Sequence, residues 1–185
     1  MENEKSKFRS ERKENTELYL YAPGDYWGLD CASHNGQNYL VCRDRTSSFV
    51  MAQEISSQSA ASIIKVLEQW ISKIGLPIVI RSDNGTCFTA RDYVKWAEKM
   101  FIKLVYSSPY NPESNGGAES AVKMVKQILN REGKNGLQTG LLSLNTTVKQ
   151  GMDGSPMDLF IGRQVKSMIP GQRDRRITKE EIEMQ

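Results

Sequence analysis

A chain of 185 residues suits a single domain and is long enough to bury a substantial core. Its 38% hydrophobic and 25% charged residues exclude a membrane-spanning or wholly disordered chain; no apolar run approaches the roughly 20 residues a bilayer demands, and the charged start shows no signal peptide. The net charge of +3 permits nucleic-acid binding without arguing for it, so any such surface must come from local clustering.

Residues 1–17 carry five basic and five acidic side chains around one large apolar residue, Phe8, and predict a disordered or loosely ordered start. Order is expected from about Leu18, giving a domain over 18–170 and a charged tail over 171–185. Trp27 to Ala32 reads as a strand. The Asn35-Gly36 pair signals a hairpin into Tyr39 to Arg43. A turn over Asp44 to Ser47 leads to a third strand at Phe49 to Ala52, which completes an antiparallel meander.

Ser57 to Ile74 is predicted helical, with Ile63, Ile64, Leu67, Trp70, Ile71 and Ile74 recurring near the helical period. Gly75 and Pro77 stop it. The unbroken Ile78-Val79-Ile80 run predicts a central strand buried on both faces. Thr89 with Asp92 resembles a capping pair for a helix through Met100. Lys103 to Tyr106 is a fifth strand, and Ser107 to Gly117 a loop rich in Ser, Pro, Asn and Gly. Helices over Ala118 to Arg131, Leu137 to Val148 and Met157 to Ile161 complete the pattern. The order implies an α/β fold, a mixed five-stranded sheet with helices on both faces.

Three carboxylates stand apart. Asp30 lies mid-strand, where Asp is disfavoured, and shares a face with the small Gly28 and Ala32. A solvent-facing edge residue is the weaker reading. Asp83 ends the apolar run at Asn84-Gly85, a common turn when read alone. Glu119 opens a helix, where an acid can serve the helix dipole alone. Acidic oxygens gathered from distant segments suit magnesium, and a pair of ions suits in-line phosphoryl transfer. On the helix after Glu119, Lys123, Lys126 and Asn130 share its stripe, while Val122, Val125 and Leu129 face a core. Such lysines fit either a DNA backbone or a solvated face.

The three cysteines, Cys31, Cys42 and Cys87, lack metal-ligand spacing and read as reduced, buried thiols of an intracellular protein. The one histidine, His34, sits in a turn.

Three motifs carry a resemblance: Trp27-Gly28-Leu29-Asp30-Cys31, Arg81 through Phe88, and Ser108 through Ser120. A weaker echo follows at Gly154-Ser155-Pro156 and Gly162-Arg163. Over roughly residues 20–170 the chain resembles the catalytic core of retroviral and gypsy-like LTR-retrotransposon integrases. The resemblance implies an RNase H-like fold and metal-dependent 3′-end processing and strand transfer on DNA. It implies two Mg2+ ions, with Mn2+ as a substitute, Asp30 bridging both, Asp83 binding one and Glu119 the other. It further implies DNA contacts at Tyr110, Asn115, Lys123 and Lys126, a homodimer or higher homo-oligomer, and a nuclear location.

The sequence departs from the family at Glu113, where a glutamine is usual. The single histidine leaves no two-His, two-Cys zinc domain, so no zinc is expected. The missing flanks suggest an excised core, a truncated product or a domesticated remnant. The competing reading is a catalytically silent integrase-fold module that binds DNA or protein. An RNase H nuclease fits less well, because Glu68 is the only acid in the first helix. An insertion-sequence transposase would share the triad, but the approach Pro109-Tyr110-Asn111-Pro112 looks retroelement-like.

Overall fold

The computed structural model describes residues 21–107 and 116–167. The expected loose N-terminal segment, the loop residues Tyr110, Glu113 and Asn115, and the tail beyond residue 167 lie outside the described residues. Strands β1 (Tyr26–His34), β2 (Gln37–Asp44) and β3 (Val50–Ile55) form the meander. At the β1–β2 turn Asn35 and Gly36 both have positive φ, 48° and 76°, and His34 pairs with Gln37 across it. Such a two-residue turn matches the strand twist.

Helix α1 (Ala60–Ile74) follows, then β4 (Val79–Ser82), the one-turn α2 (Thr86–Thr89), α3 (Arg91–Lys99), β5 (Lys103–Tyr106), α4 (Gly116–Thr146) and α5 (Pro156–Ile161). The sheet order is β3-β2-β1-β4-β5. The first three strands are antiparallel; β4 runs parallel to β1 and β5 parallel to β4.

Strand alternation sorts the sheet's side chains into two cores. Trp27, Leu29, Leu40, Cys42 and Ile80 pack under α1 and α3, against Ile63, Leu67, Trp70, Tyr93 and Ala97. Ala32, Tyr39, Val41, Val50 and Ala52 pack under α4, against Ala121, Val125, Ile128, Leu129, Leu137 and Leu141. Each fully buried aromatic or branched side chain contributes about 1.5–3 kcal/mol. Both faces are therefore covered, as the element order implied.

Several local expectations change. Helix α1 begins at Ala60, because Ser59 takes the cap and accepts from the Ser62 amide. Ile78 is 51% exposed and precedes β4; only Val79 and Ile80 are buried. Thr89 does not cap α3: its hydroxyl donates to the Gly85 carbonyl and closes α2 instead, leaving Ala90 at the α3 cap. The two helices expected after the loop are arms of α4, broken at Gly133 with φ 69° and ψ −178°. Asn145 on the second arm clamps the edge strand β3, exchanging two hydrogen bonds with Val50 at 2.9 and 2.8 Å. Helix α5 opens with Ser155 and Asp158 capping each other's amides and Pro156 in its first turn.

Candidate active site

Parallel pairing brings the first two carboxylates level. Gly28 pairs with Arg81, so Asp30 and Asp83 each stand two residues further along adjacent strands. Asp83 itself lies just past the end of β4. Asp30 projects on the Gly28 face of β1, and α4 docks on that face. A methyl at Gly28 would touch the Ala118 methyl at 3.5 Å, an ordinary packing distance, so the helix start lies directly on this part of β1. Glu119 is the next residue of the helix, exposed in its first turn.

The Asp30 carboxyl reports this crowding. Burial pushes it up from its ordinary 3.8 to about 6. The Cys31 amide, which donates to Asp30 Oδ1 at 2.7 Å, pulls it back down. The charges of Asp83 and Glu119 push it up further, and Lys126 opposes them. The fold therefore gathers Asp30, Asp83, Glu119 and Lys126 into one electrostatic neighbourhood.

One oxygen of each aspartate is engaged locally: Asp83 Oδ1 accepts from the Gly85 amide at 3.0 Å and Asp30 Oδ1 from the Cys31 amide at 2.7 Å. Among the described residues no three His, Cys, Asp or Glu side chains are disposed to hold a metal ion as they stand. In donor chemistry the trio still fits a hard divalent cation, since it offers only carboxylate oxygens and carries negative charge that opposes itself.

Lys123 is exposed and Lys126 half-buried, while Val125 and Leu129 enter the core, as the stripe arithmetic required. Val122 packs at the core's margin. Tyr110 and Asn115 lie outside the described residues. Two neighbours escaped the sequence reading. Asn84 donates to the Ser107 carbonyl at 2.9 Å and ties the Asp83 turn to the foot of the loop that leads to α4. Arg43 on β2 reaches Gly117, two residues before Glu119. Its only sequence signal is a cation directly after the apolar run Tyr39-Leu40-Val41-Cys42.

The thiols of Cys31 and Cys87 lie close enough to influence each other, and burial pushes both upwards, which keeps them protonated. All three cysteines are free, with Cys42 and Cys87 buried and Cys31 half-buried.

A mixed sheet in this order, covered by helices on both faces and carrying one acid within β1 and another just past the end of the neighbouring parallel strand β4, is an RNase H-like fold. Residues 21–112 match the family model of the integrase core domain. The Pro-Pol polyprotein of feline foamy virus is 31% identical over 107 residues, 58% of this chain and 9% of that polyprotein. The chain thus spans about a tenth of that relative's length. The catalytic core domain of BIV integrase superposes with a TM-score of 0.65 at 27% identity, over 75% of this chain and 95% of that one. The HTLV-2 integrase catalytic core domain, in complex with magnesium, gives 0.64 at 20% identity, over 75% and 97%. The chain belongs to the integrase core domain family.

Proposed function

We propose that this chain is the catalytic core of a DNA integrase that acts in the nucleus, performing 3′-end processing and strand transfer on DNA. The observation that carries this reading is the shared electrostatic neighbourhood of Asp30, Asp83 and Glu119, which come from β1, the end of β4 and the start of α4. Asp30, Asp83 and Glu119 would hold two Mg2+ ions, or Mn2+ in their place. When bound, such ions supply Lewis-acid stabilisation of the attacking and leaving oxygens.

The chain's own residues supply position and charge. Strand β1 fixes Asp30, the turn after β4 holds Asp83 and the start of α4 holds Glu119, so the three acids are brought near one another by the fold and close onto the ions by side-chain adjustment. Lys126, beside Asp30, offsets the acids and offers a cation to a scissile-strand phosphate; Lys123, one turn from Glu119, extends that face. Tyr110 and Asn115 would contact the DNA end from the loop. No side chain acts as a covalent nucleophile: water serves in processing and a DNA 3′-hydroxyl in strand transfer. The magnesium complex of the HTLV-2 core supports the choice of ion, and its trimeric form supports self-association as a homodimer or larger assembly.

The deciding experiment is disintegration of a branched DNA substrate with Mg2+ or Mn2+. Activity in the wild type that is absent in Glu119→Gln supports the reading. A wild type that folds and binds DNA yet is inactive with both ions would make the chain a silent integrase-fold module.

A further inference from the structure

Arg43 stands opposite Gly28 in the β1–β2 ladder and so projects on the Asp30 face of the sheet. Its guanidinium donates to the Gly117 carbonyl at 3.3 Å and the Ser48 hydroxyl at 2.9 Å. Neither partner carries charge. The adjacent Asp44 is committed elsewhere, accepting from the Gly24 amide, the Ser47 amide and the Ser47 hydroxyl. Among the described residues no carboxylate lies within ion-pair distance of Arg43.

Burial disfavours the Arg43 cation and the charge of the adjacent Asp44 only partly offsets this; a half-buried cation with no direct ion pair is costly unless something else neutralises it. Lys149 adds to the imbalance. Burial and the nearby Arg43 both push its ammonium down, and no described acid pairs with it. Lys149 also lines a cavity of about 230 Å³ between the arms of α4, with Gln127, Arg131, Ser143 and Thr147 on its polar side and Met124 and Leu144 on its apolar side. Among the described residues, a side chain at Gly116 would meet nothing within 4 Å, and one at Gly117 only the Arg43 side chain. Two like charges and polar neighbours describe a seat for an anion.

We infer that Arg43, with Lys149 beside it, binds a DNA backbone phosphate on the flank of α4 away from Lys126, and so positions the strand that enters the active site. The inference rests on the integrase reading for its choice of DNA as ligand. A guanidinium suits it, since its planar fork can meet phosphate through two hydrogen bonds while still holding the helix start.

The test uses the full chain without divalent metal, so that binding is separated from catalysis. Affinity for an arbitrary duplex is measured by fluorescence anisotropy across a salt series for wild type, Arg43→Ala, Arg43→Lys and Arg43→Ala with Lys149→Ala. One lost phosphate contact lowers the salt slope by about 0.9, equivalent to about eightfold weaker binding at 0.1 M salt. Arg43→Ala should show that loss on any sequence, the double variant a loss at least as large, and Arg43→Lys should keep the slope. Inorganic phosphate should raise the melting temperature of wild type and not of Arg43→Ala, which separates an anion seat from a clamp on Gly117. An unchanged slope in Arg43→Ala, with or without a lower melting temperature, overturns the inference. A wild type that fails disintegration while Arg43→Ala still loses slope refutes the catalytic reading and supports this one.

Discussion

Replacing Asp30 with asparagine should make the metal-free protein more stable at neutral pH and abolish its chemistry. The folded carboxyl titrates at about 6, first because it is buried and then because Asp83 and Glu119 stand near it. At roughly 1.4 kcal/mol per pH unit, the distance from 3.8 sets a ceiling of about 3 kcal/mol. Asp30 is only half-buried, and solvent screening reduces this to about 1–2 kcal/mol.

The sign follows from proton binding. Below about pH 4 the carboxyl is protonated in folded and unfolded chains alike and costs nothing. Between about 4 and 6 the folded chain holds a proton that the unfolded chain has released, so wild-type stability falls; above about 6 the cost is complete. Asn keeps the acceptor for the Cys31 amide and carries no charge. Urea melts in EDTA should therefore show no difference between Asp30→Asn and wild type near pH 4, and an advantage of about 1–2 kcal/mol at pH 7.5, or about 3–6 °C in melting temperature. Magnesium at ten times its dissociation constant should restore about 1.4 kcal/mol to wild type and little to Asp30→Asn. Equal stabilities from pH 5 to 8, or a less stable Asp30→Asn at pH 7.5, would refute the account of the site as self-repelling.

Glu119→Gln keeps the side chain's shape and removes one charged oxygen donor; disintegration should fall to background while metal-free DNA affinity is retained, as gel shift and product assays would show. Near-wild-type turnover would remove Glu119 from the mechanism. Gly140→Ala should destabilise by about 1–3 kcal/mol, because a methyl there collides with Ile128 where the arms of α4 pack; a denaturant midpoint at or above wild type would contradict this. Phe101 holds a left-handed φ of 58° and is 93% exposed, so its strain gains no packing in return. Phe101→Gly should raise stability by about 0.5–1 kcal/mol, the left-handed penalty less the entropy of glycine, and a loss above about 1 kcal/mol in the same melts would count against it.

Much of the architecture is written locally. The two-residue period of β1 and β2, the Asn35-Gly36 turn and the helical recurrence from Ile63 to Ile71 each use short-range physics, and the elements appear where those signals stand. Asp30 is conspicuous for the same reason, since a carboxylate mid-strand contradicts local preference. Where local signals compete, sequence misleads. Thr89 could cap α3 or bond back to Gly85, and only the docked α2 turn selects the second. Ile78 is as apolar as its neighbours, but it lies outside the ladder and stays in solvent. The site depends on still longer range. That Asp83 stands level with Asp30 follows from the parallel register of β4 on β1, and that Glu119 joins them follows from α4 packing on Gly28. Arg43 shows the limit most clearly. Nothing in Val41-Cys42-Arg43-Asp44 says that its guanidinium will reach a helix 74 residues away or share its surroundings with Lys149. Residue type and period are properties of the chain, whereas the electrostatic partners of a charge are set by which distant backbones pack together.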